Sequence, residues 1–240
     1  MSVMEDMGAR AMALGIPLSV QLDLTYRCNE RCIHCYLDHE DHGEMTTAEI
    51  LGLLDQLAAA GVFFLNVSGG EIFMRPDLFT IIEHARKLQF SVKLKTNGVM
   101  IREAKARRIA ALGVEAVQIS LYSHDAATPD EITKLRGSFK RTVEGARLLR
   151  AAGVKVIFAN VLMQQNADHY KQVQALAAEM GIRYEVDATI TPMMDGDRGI
   201  VALNMDGGRL AAIMHDTTLL GDQAERLAEK LRALIAAARG

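Results

Sequence analysis

Short apolar or β-branched runs alternate with helical segments along most of the chain, and this alternation restricts the folds open to it. The runs lie at about 18–25 (LSVQLDLT), 62–68 (VFFLNVS), 91–96 (SVKLKT), 115–121 (EAVQISL), 154–163 (VKVIFANVLM) and 183–190 (RYEVDATI). Most are bounded by Gly, Asn or Asp, as buried parallel strands are. Helical patterns fill the gaps. Thr46 and Glu49 form a capping box ahead of ILGLLDQLAAAG, and Pro76–Asp77 opens LFTIIEHARKL. Further patterns run from Arg102 to Leu112 and from Phe139 to Ala152, and Asp168 is placed to cap HYKQVQALAAEM. The patterns are expected to end where Gly takes a left-handed conformation, as at Gly61, Gly113, Gly153 and Gly181. Six strands each followed by a helix require crossover connections and a parallel sheet. Curled, that sheet is an α/β partial (β/α)6 TIM-like barrel, six of the eight units of a full barrel. Residues 191–209 read as a loop with a short apolar insert, followed by helical stretches at about 209–215 and 222–238. The expected organisation is an N-terminal helical extension over 1–17, packed outside the sheet, a core over 18–205 and a C-terminal helical segment over 206–240.

Composition excludes several functional classes. The chain has 240 residues with 27 basic and 30 acidic side chains, a net charge of −3, and half of its residues are hydrophobic. It is too apolar for disorder. Its apolar runs are broken well before the length of a membrane span, and MSVMEDMGAR lacks the pattern of a secretory signal. A slightly acidic balance with 5% aromatics and no Trp gives no footprint for nucleic acid.

The three cysteines all fall within eight residues, Cys28, Cys32 and Cys35, directly after the first strand run. An odd number cannot close into intramolecular disulfides, and the cluster reads as a metal or redox site in a reduced, cytoplasmic compartment. Ligands of parallel sheets bind at the carboxyl ends of strands, where this loop lies. Three thiolates can wrap one face of an iron–sulfur cluster that normally takes four, leaving one iron for an exogenous chelator. Other readings are zinc held by the cysteines and His34, three packed thiols, or a dithiol at Cys32 and Cys35 that leaves Cys28 unexplained.

Cys28-x3-Cys32-x-His34-Cys35 resembles the cluster motif of the radical S-adenosylmethionine (radical SAM) enzymes, over about residues 17–205. Further landmarks follow in order: Ser68-Gly69-Gly70-Glu71 ends the second strand, Thr96-Asn97-Gly98 the third, and Gln118-Ile119-Ser120-Leu121-Tyr122 the fourth. The resemblance implies a [4Fe-4S] cluster on the cysteines whose open iron is chelated by S-adenosyl-L-methionine. One electron, from a reductant such as flavodoxin or ferredoxin, then yields a 5′-deoxyadenosyl radical that takes hydrogen from substrate. It implies that Ser68, Gly69 and Gly70 meet the methionyl end, with Glu71 supporting its ammonium. His34 stands near adenine, Thr96 and Asn97 order the ribose or strand end, Ser120 and Arg136 contact the carboxylate, and Val161 and Leu162 pack on adenine. Arg136 also reads as a surface cation, and Val161 and Leu162 as barrel core. Ile72 stands where the family often has Pro after the Glu.

SGGEIFMRPDLF, TNG and VQISLYSHDAATPDEITKLRGSF most resemble the peptide-maturing branch, which modifies ribosomally made peptides. That branch usually carries a C-terminal SPASM or twitch extension with auxiliary-cluster cysteines, whereas no cysteine follows Cys35. Peptide and small-molecule substrates both stay open, as do cofactor or haem biosynthesis and a non-catalytic barrel that binds zinc or a partner. Asp38-His39-Glu40-Asp41-His42 reads as a solvated acidic loop, Met193-Met194 as gap-filling apolar residues.

Overall fold

A computed structural model describes residues 3–125 and 127–220. Six strands, β1 (Ser19–Asp23), β2 (Phe64–Ser68), β3 (Ser91–Thr96), β4 (Ala116–Ser120), β5 (Val156–Val161) and β6 (Arg183–Asp187), pair in sequence order, every pair parallel. The crossovers carry α2 (Thr47–Ala59), α3 (Leu78–Lys87), α4 (Glu103–Leu112), then α5 (Ala127–Thr133) with α6 (Ser138–Ala151), and α7 (Tyr170–Glu179). This is the expected (β/α)6 sheet, and among the described residues β1 and β6 pair on one side only. α1 (Val3–Leu14) precedes it with Ala11 buried and Met12 and Leu14 exposed. After β6 the chain makes a 3₁₀ turn at Gly199–Leu203 and forms α8 (Gly207–Met214), capped by Asp206 on the Arg209 amide. The helix expected at 222–238 lies outside the described residues.

The strands are two-faced, which reading the runs as buried parallel strands did not anticipate. Val92 and Leu94 of β3, Val117 and Ile119 of β4, and Val156 and Phe158 of β5 face one way, into the main core with Ile50, Leu54, Ile81, Ile82, Ile109 and Leu149 of the helices. The alternate residues of β1, β3 and β6 are polar, those of β5 (Ile157, Ala159 and Val161) are apolar, and polar pairs form across the concave face. Lys95 Nζ donates to Gln21 Oε1 at 2.7 Å, and Gln118 Nε2 to Glu185 Oε2 at 3.2 Å. Burial on one face alone produces a period of two even in a parallel sheet.

Helix ends follow the sequence signals with two exceptions. The Thr46–Glu49 capping box forms, and Gly61, Gly113, Gly153 and Gly181 have positive φ beyond α2, α4, α6 and α7. α3 has no glycine there: Gln89 takes the left-handed conformation instead, at φ 68°. Asp168 does not cap α7; its carboxylate pairs with Arg209 at 2.5 Å.

Candidate active site

The loop after β1 carries the three cysteines and is stitched to neighbouring strand ends through its backbone. Leu24 N donates to Ser68 O at 2.9 Å, Gly70 N to Thr25 O at 2.7 Å, and Glu71 N to Arg27 O at 2.9 Å. The approach is too close for any side chain. A Cβ on Gly69 would lie 2.3 Å from Thr25 O, and one on Gly70 2.3 Å from Arg27 O. The two glycines are therefore required by the cysteine loop itself. On its other side the loop meets α5: Arg31 N donates to Thr133 O at 2.9 Å and Ile33 N to Ile132 O at 3.0 Å. Asn97 Nδ2 donates to Asn29 Oδ1 at 2.8 Å, and Met194 N reaches Tyr36 O at 3.0 Å.

Behind the loop, Arg75 is a buried strut. Its guanidinium donates to Leu24 O and Met45 O at 3.0–3.2 Å and clasps Asp77 at 2.7–2.9 Å. Glu44 joins it, accepting from Thr25 Oγ1 and from Arg27. Both ends of the 24–45 segment thus hang from one side chain.

The loop and the strand ends enclose an open cavity of about 390 Å³. Cys28, Cys32 and Cys35 line it, with His34, Ser68, Gly69, Gly70, Thr96, Asn97, Ser120 and Val161. Three expected residues do not. Glu71 is fully buried behind the wall, where its carboxylate accepts from Phe73 N, Thr96 Oγ1 and Asn97 N at 2.8–3.0 Å. Leu162 turns away from the strand end into a second core with Ala167, Met205 and Ile213. Arg136 is exposed in the turn before α6, where its carbonyl accepts from Arg141. The sequence reading missed Gln21, Lys95, Gln118 and Asp187, which line the same cavity from the concave face. Their signal was the strand alternation. It also missed Glu30 and Tyr36, which no motif marks.

Burial outweighs charge at the sulfurs: Arg31 opposes it at Cys35, and Lys95 lines the same cavity. Burial pushes the Cys28 thiol up to about 11 and raises Cys32 and Cys35 as well. Glu30 is buried against Cys32 Sγ at 3.6 Å, and burial pushes its carboxyl up to about 7. Burial lowers His34 to about 4, so the ring is neutral; it packs edge-on against Tyr122 with centroids 4.9 Å apart, and its Nδ1 is buried without a partner. Sulfur receives backbone and amide donors: Glu30 N at 3.4 Å and Asn97 Nδ2 at 3.9 Å, both on Cys28 Sγ.

The radical SAM superfamily profile matches residues 22–194. The chain belongs to the radical SAM superfamily. These are enzymes that work with a [4Fe-4S] cluster and S-adenosylmethionine. This radical SAM chain is 34% identical over 191 residues to the mycofactocin maturase MftC of Mycobacterium tuberculosis (strain ATCC 25618 / H37Rv), covering 78% of this chain and 47% of that protein. It is 33% identical over 168 residues to the PqqA peptide cyclase of Gluconobacter oxydans (strain 621H), covering 69% and 47%. Its fold is similar to Streptococcus suis SuiB bound to S-adenosylmethionine, with a TM-score of 0.70, 18% identity, and 95% and 52% of the two chains covered. The chain spans about half the length of the curated relatives it matches. No helix among the described residues is long and apolar enough to cross a membrane.

Proposed function

We propose that this radical SAM chain carries the catalytic core of an enzyme that modifies a ribosomally made peptide. The observation that carries the reading is the convergence of Cys28, Cys32 and Cys35 on one cavity wall opposite the Ser68–Gly70 strand end. The donor set fits the cofactors. Three half-buried thiols, all raised chiefly by burial, become thiolates when a metal centre supplies the charge. Their sulfurs are not among the donor trios whose ligand atoms lie within 4.8 Å of one another, the spacing that suits one ion; a cluster spreads its ligands over several irons. The cavity is of the size that encloses a small-molecule ligand.

Cys28, Cys32 and Cys35 would hold the cluster, with S-adenosylmethionine on the iron they leave open. When bound, this pair supplies a 5′-deoxyadenosyl radical that abstracts hydrogen from substrate. The chain's own part is to bind and orient. Ser68, Gly69 and Gly70 meet the methionyl end. Ser120 and Asn97 offer hydrogen bonds at neighbouring strand ends, and Lys95 supplies positive charge at the floor. His34 presents a neutral ring, and Val161 an apolar surface, to the adenine. Glu71 acts through Thr96 and Asn97, whose positions it fixes, and a one-electron reductant such as flavodoxin or ferredoxin completes the reaction. The similarity to a peptide cyclase and a maturase supports a peptide as substrate.

Anaerobic reconstitution with iron and sulfide tests the core of this reading. About four iron per chain and release of 5′-deoxyadenosine under reductant are expected, both lost in the Cys28/Cys32/Cys35→Ala variant. Equal product from the two proteins, or one zinc per chain and no cluster, would overturn it. The peptide assignment is tested separately, by mass spectrometry of peptides encoded beside the gene. Turnover of S-adenosylmethionine with no mass change in any of them would favour a small-molecule substrate. That alternative is supported by 30% identity over 174 residues to the AdoMet-dependent heme synthase of Methanosarcina barkeri (strain Fusaro / DSM 804).

A further inference from the structure

The rim of the sheet holds a second group of donors that the cavity does not use. His124 and Asp125 follow β4, and His169 stands immediately before α7. Each offers one ligand atom, and these atoms lie within 4.8 Å of one another, the one such trio of His, Cys, Asp or Glu among the described residues. The two imidazoles meet edge to face with centroids 5.4 Å apart, and His169 Nδ1 is 3.7 Å from Asp125 Oδ2. None of the three lines the cavity.

Two features hold the trio in place. Ser123 is fully buried, and its Oγ lies 2.6 Å from His169 Nδ1 and donates to Asp125 Oδ2 at 3.0 Å. A hydrogen-bond partner on one ring nitrogen is the usual means of orienting an imidazole that ligates through the other. The Asp125 carboxylate is aimed by a further bond, accepting from Thr128 N at 3.0 Å. The second feature is Asn166, also fully buried. Its Nδ2 donates to Tyr122 O at 3.0 Å and to Val161 O at 2.9 Å, while its Oδ1 accepts from Met163 N at 2.8 Å. It ties the segment that carries His124 and Asp125 to the segment that carries His169. The separation of the donors is therefore set by buried structure and not by mobile side chains alone.

Two imidazoles and one carboxylate form a donor set of intermediate softness. It suits zinc, cobalt, nickel or ferrous ions, whereas calcium and magnesium take oxygen ligands. We propose that His124, Asp125 and His169 bind one divalent transition-metal ion, at a site separate from the cysteines. Three protein ligands leave a coordination position for water or for a group of a second molecule. The ion bridges the ends of β4 and β5 just ahead of α5, the helix to which the cysteine loop is bonded.

The probe is Zn²⁺ alone, added by calorimetric titration to cluster-loaded protein in the absence of oxygen, so that the cysteines are already occupied. One equivalent is expected to bind saturably. In the His124→Ala/His169→Ala variant the affinity should fall at least ten-fold with the iron content unchanged. His84→Ala, which breaks the Asp55–His84 pair between α2 and α3, should leave the titration as it was. The same experiment on Cys28/Cys32/Cys35→Ala protein, which needs no cluster loading, should again give one equivalent. Absence of saturable binding in both proteins, or equal affinity with and without the two histidines, would overturn the site.

Discussion

Gly70 has two jobs at one position: it ends a strand and leaves room for another strand's loop. Its Cβ position lies 2.3 Å from Arg27 O and 2.7 Å from Tyr26 O, both backbone atoms that no rotamer change can move. Gly70→Ala should therefore displace the cysteine loop, at a cost of about 1–3 kcal/mol, and lower the iron taken up on reconstitution. Gly207→Ala, in open space at the start of α8, should do neither. Glu71 makes a second case. Its two oxygens satisfy Phe73 N, Thr96 Oγ1 and Asn97 N in a fully buried setting. Glu71→Gln replaces one acceptor by a donor and should cost about 1–3 kcal/mol, read as a lower urea midpoint. The cysteine spacing and the glycine pair were legible in the sequence because each is local. Glu71 was legible as a motif member but not as a buried strut, because its partners stand 25 and 26 residues downstream. Arg136 is exposed, in keeping with its reading as a surface cation, and a cation before a helix says nothing about which way it turns.

Ion pairs hold the joint where the cysteine loop, α2 and α3 meet. Arg75 connects the start of the cysteine loop, the approach to α2 and the N-terminus of α3. Its hydrogen bond holds the Asp77 carboxyl down at about 2. A carboxyl lowered in the folded state adds stability above its unfolded value, near about 4, and that stability drains away as pH falls through 2. Asp77→Asn should thus be about 1.5–3 kcal/mol less stable than the parent at pH 7. The gap should close between pH 4 and 2, measured as paired urea unfolding curves at each pH. Thr46→Ala should cost about 1 kcal/mol by loss of the α2 capping box. That box was readable from two residues three apart. The end of α3 was not, since nothing in its sequence marks Gln89 as the left-handed residue. Here the tertiary setting overrides the usual preference for glycine.

For the molecule as a whole, the sheet separates stability from chemistry by face. Leu54 packs in the core on the convex side, and Leu54→Ala should cost about 2–5 kcal/mol in thermal or urea unfolding. Gln118 lines the cavity on the concave side, and Gln118→Ala should leave the unfolding midpoint nearly unchanged while weakening S-adenosylmethionine binding, followed by calorimetry. Strand order and count were legible because helices alternate with strands. The polar part of the concave face was written there too, as the alternation S-V-Q-L-D and S-V-K-L-K-T, but six short runs in a chain half apolar look continuous until a face is assigned. The bonds from Arg31 and Ile33 to the last residues of α5 have an outcome of their own. A colony screen scored on brown colour would recover pale mutants in a segment holding no sulfur donor. Lesions at Asp130, whose carboxylate fastens the turn from Gly137 to Phe139, would masquerade as defects of iron delivery.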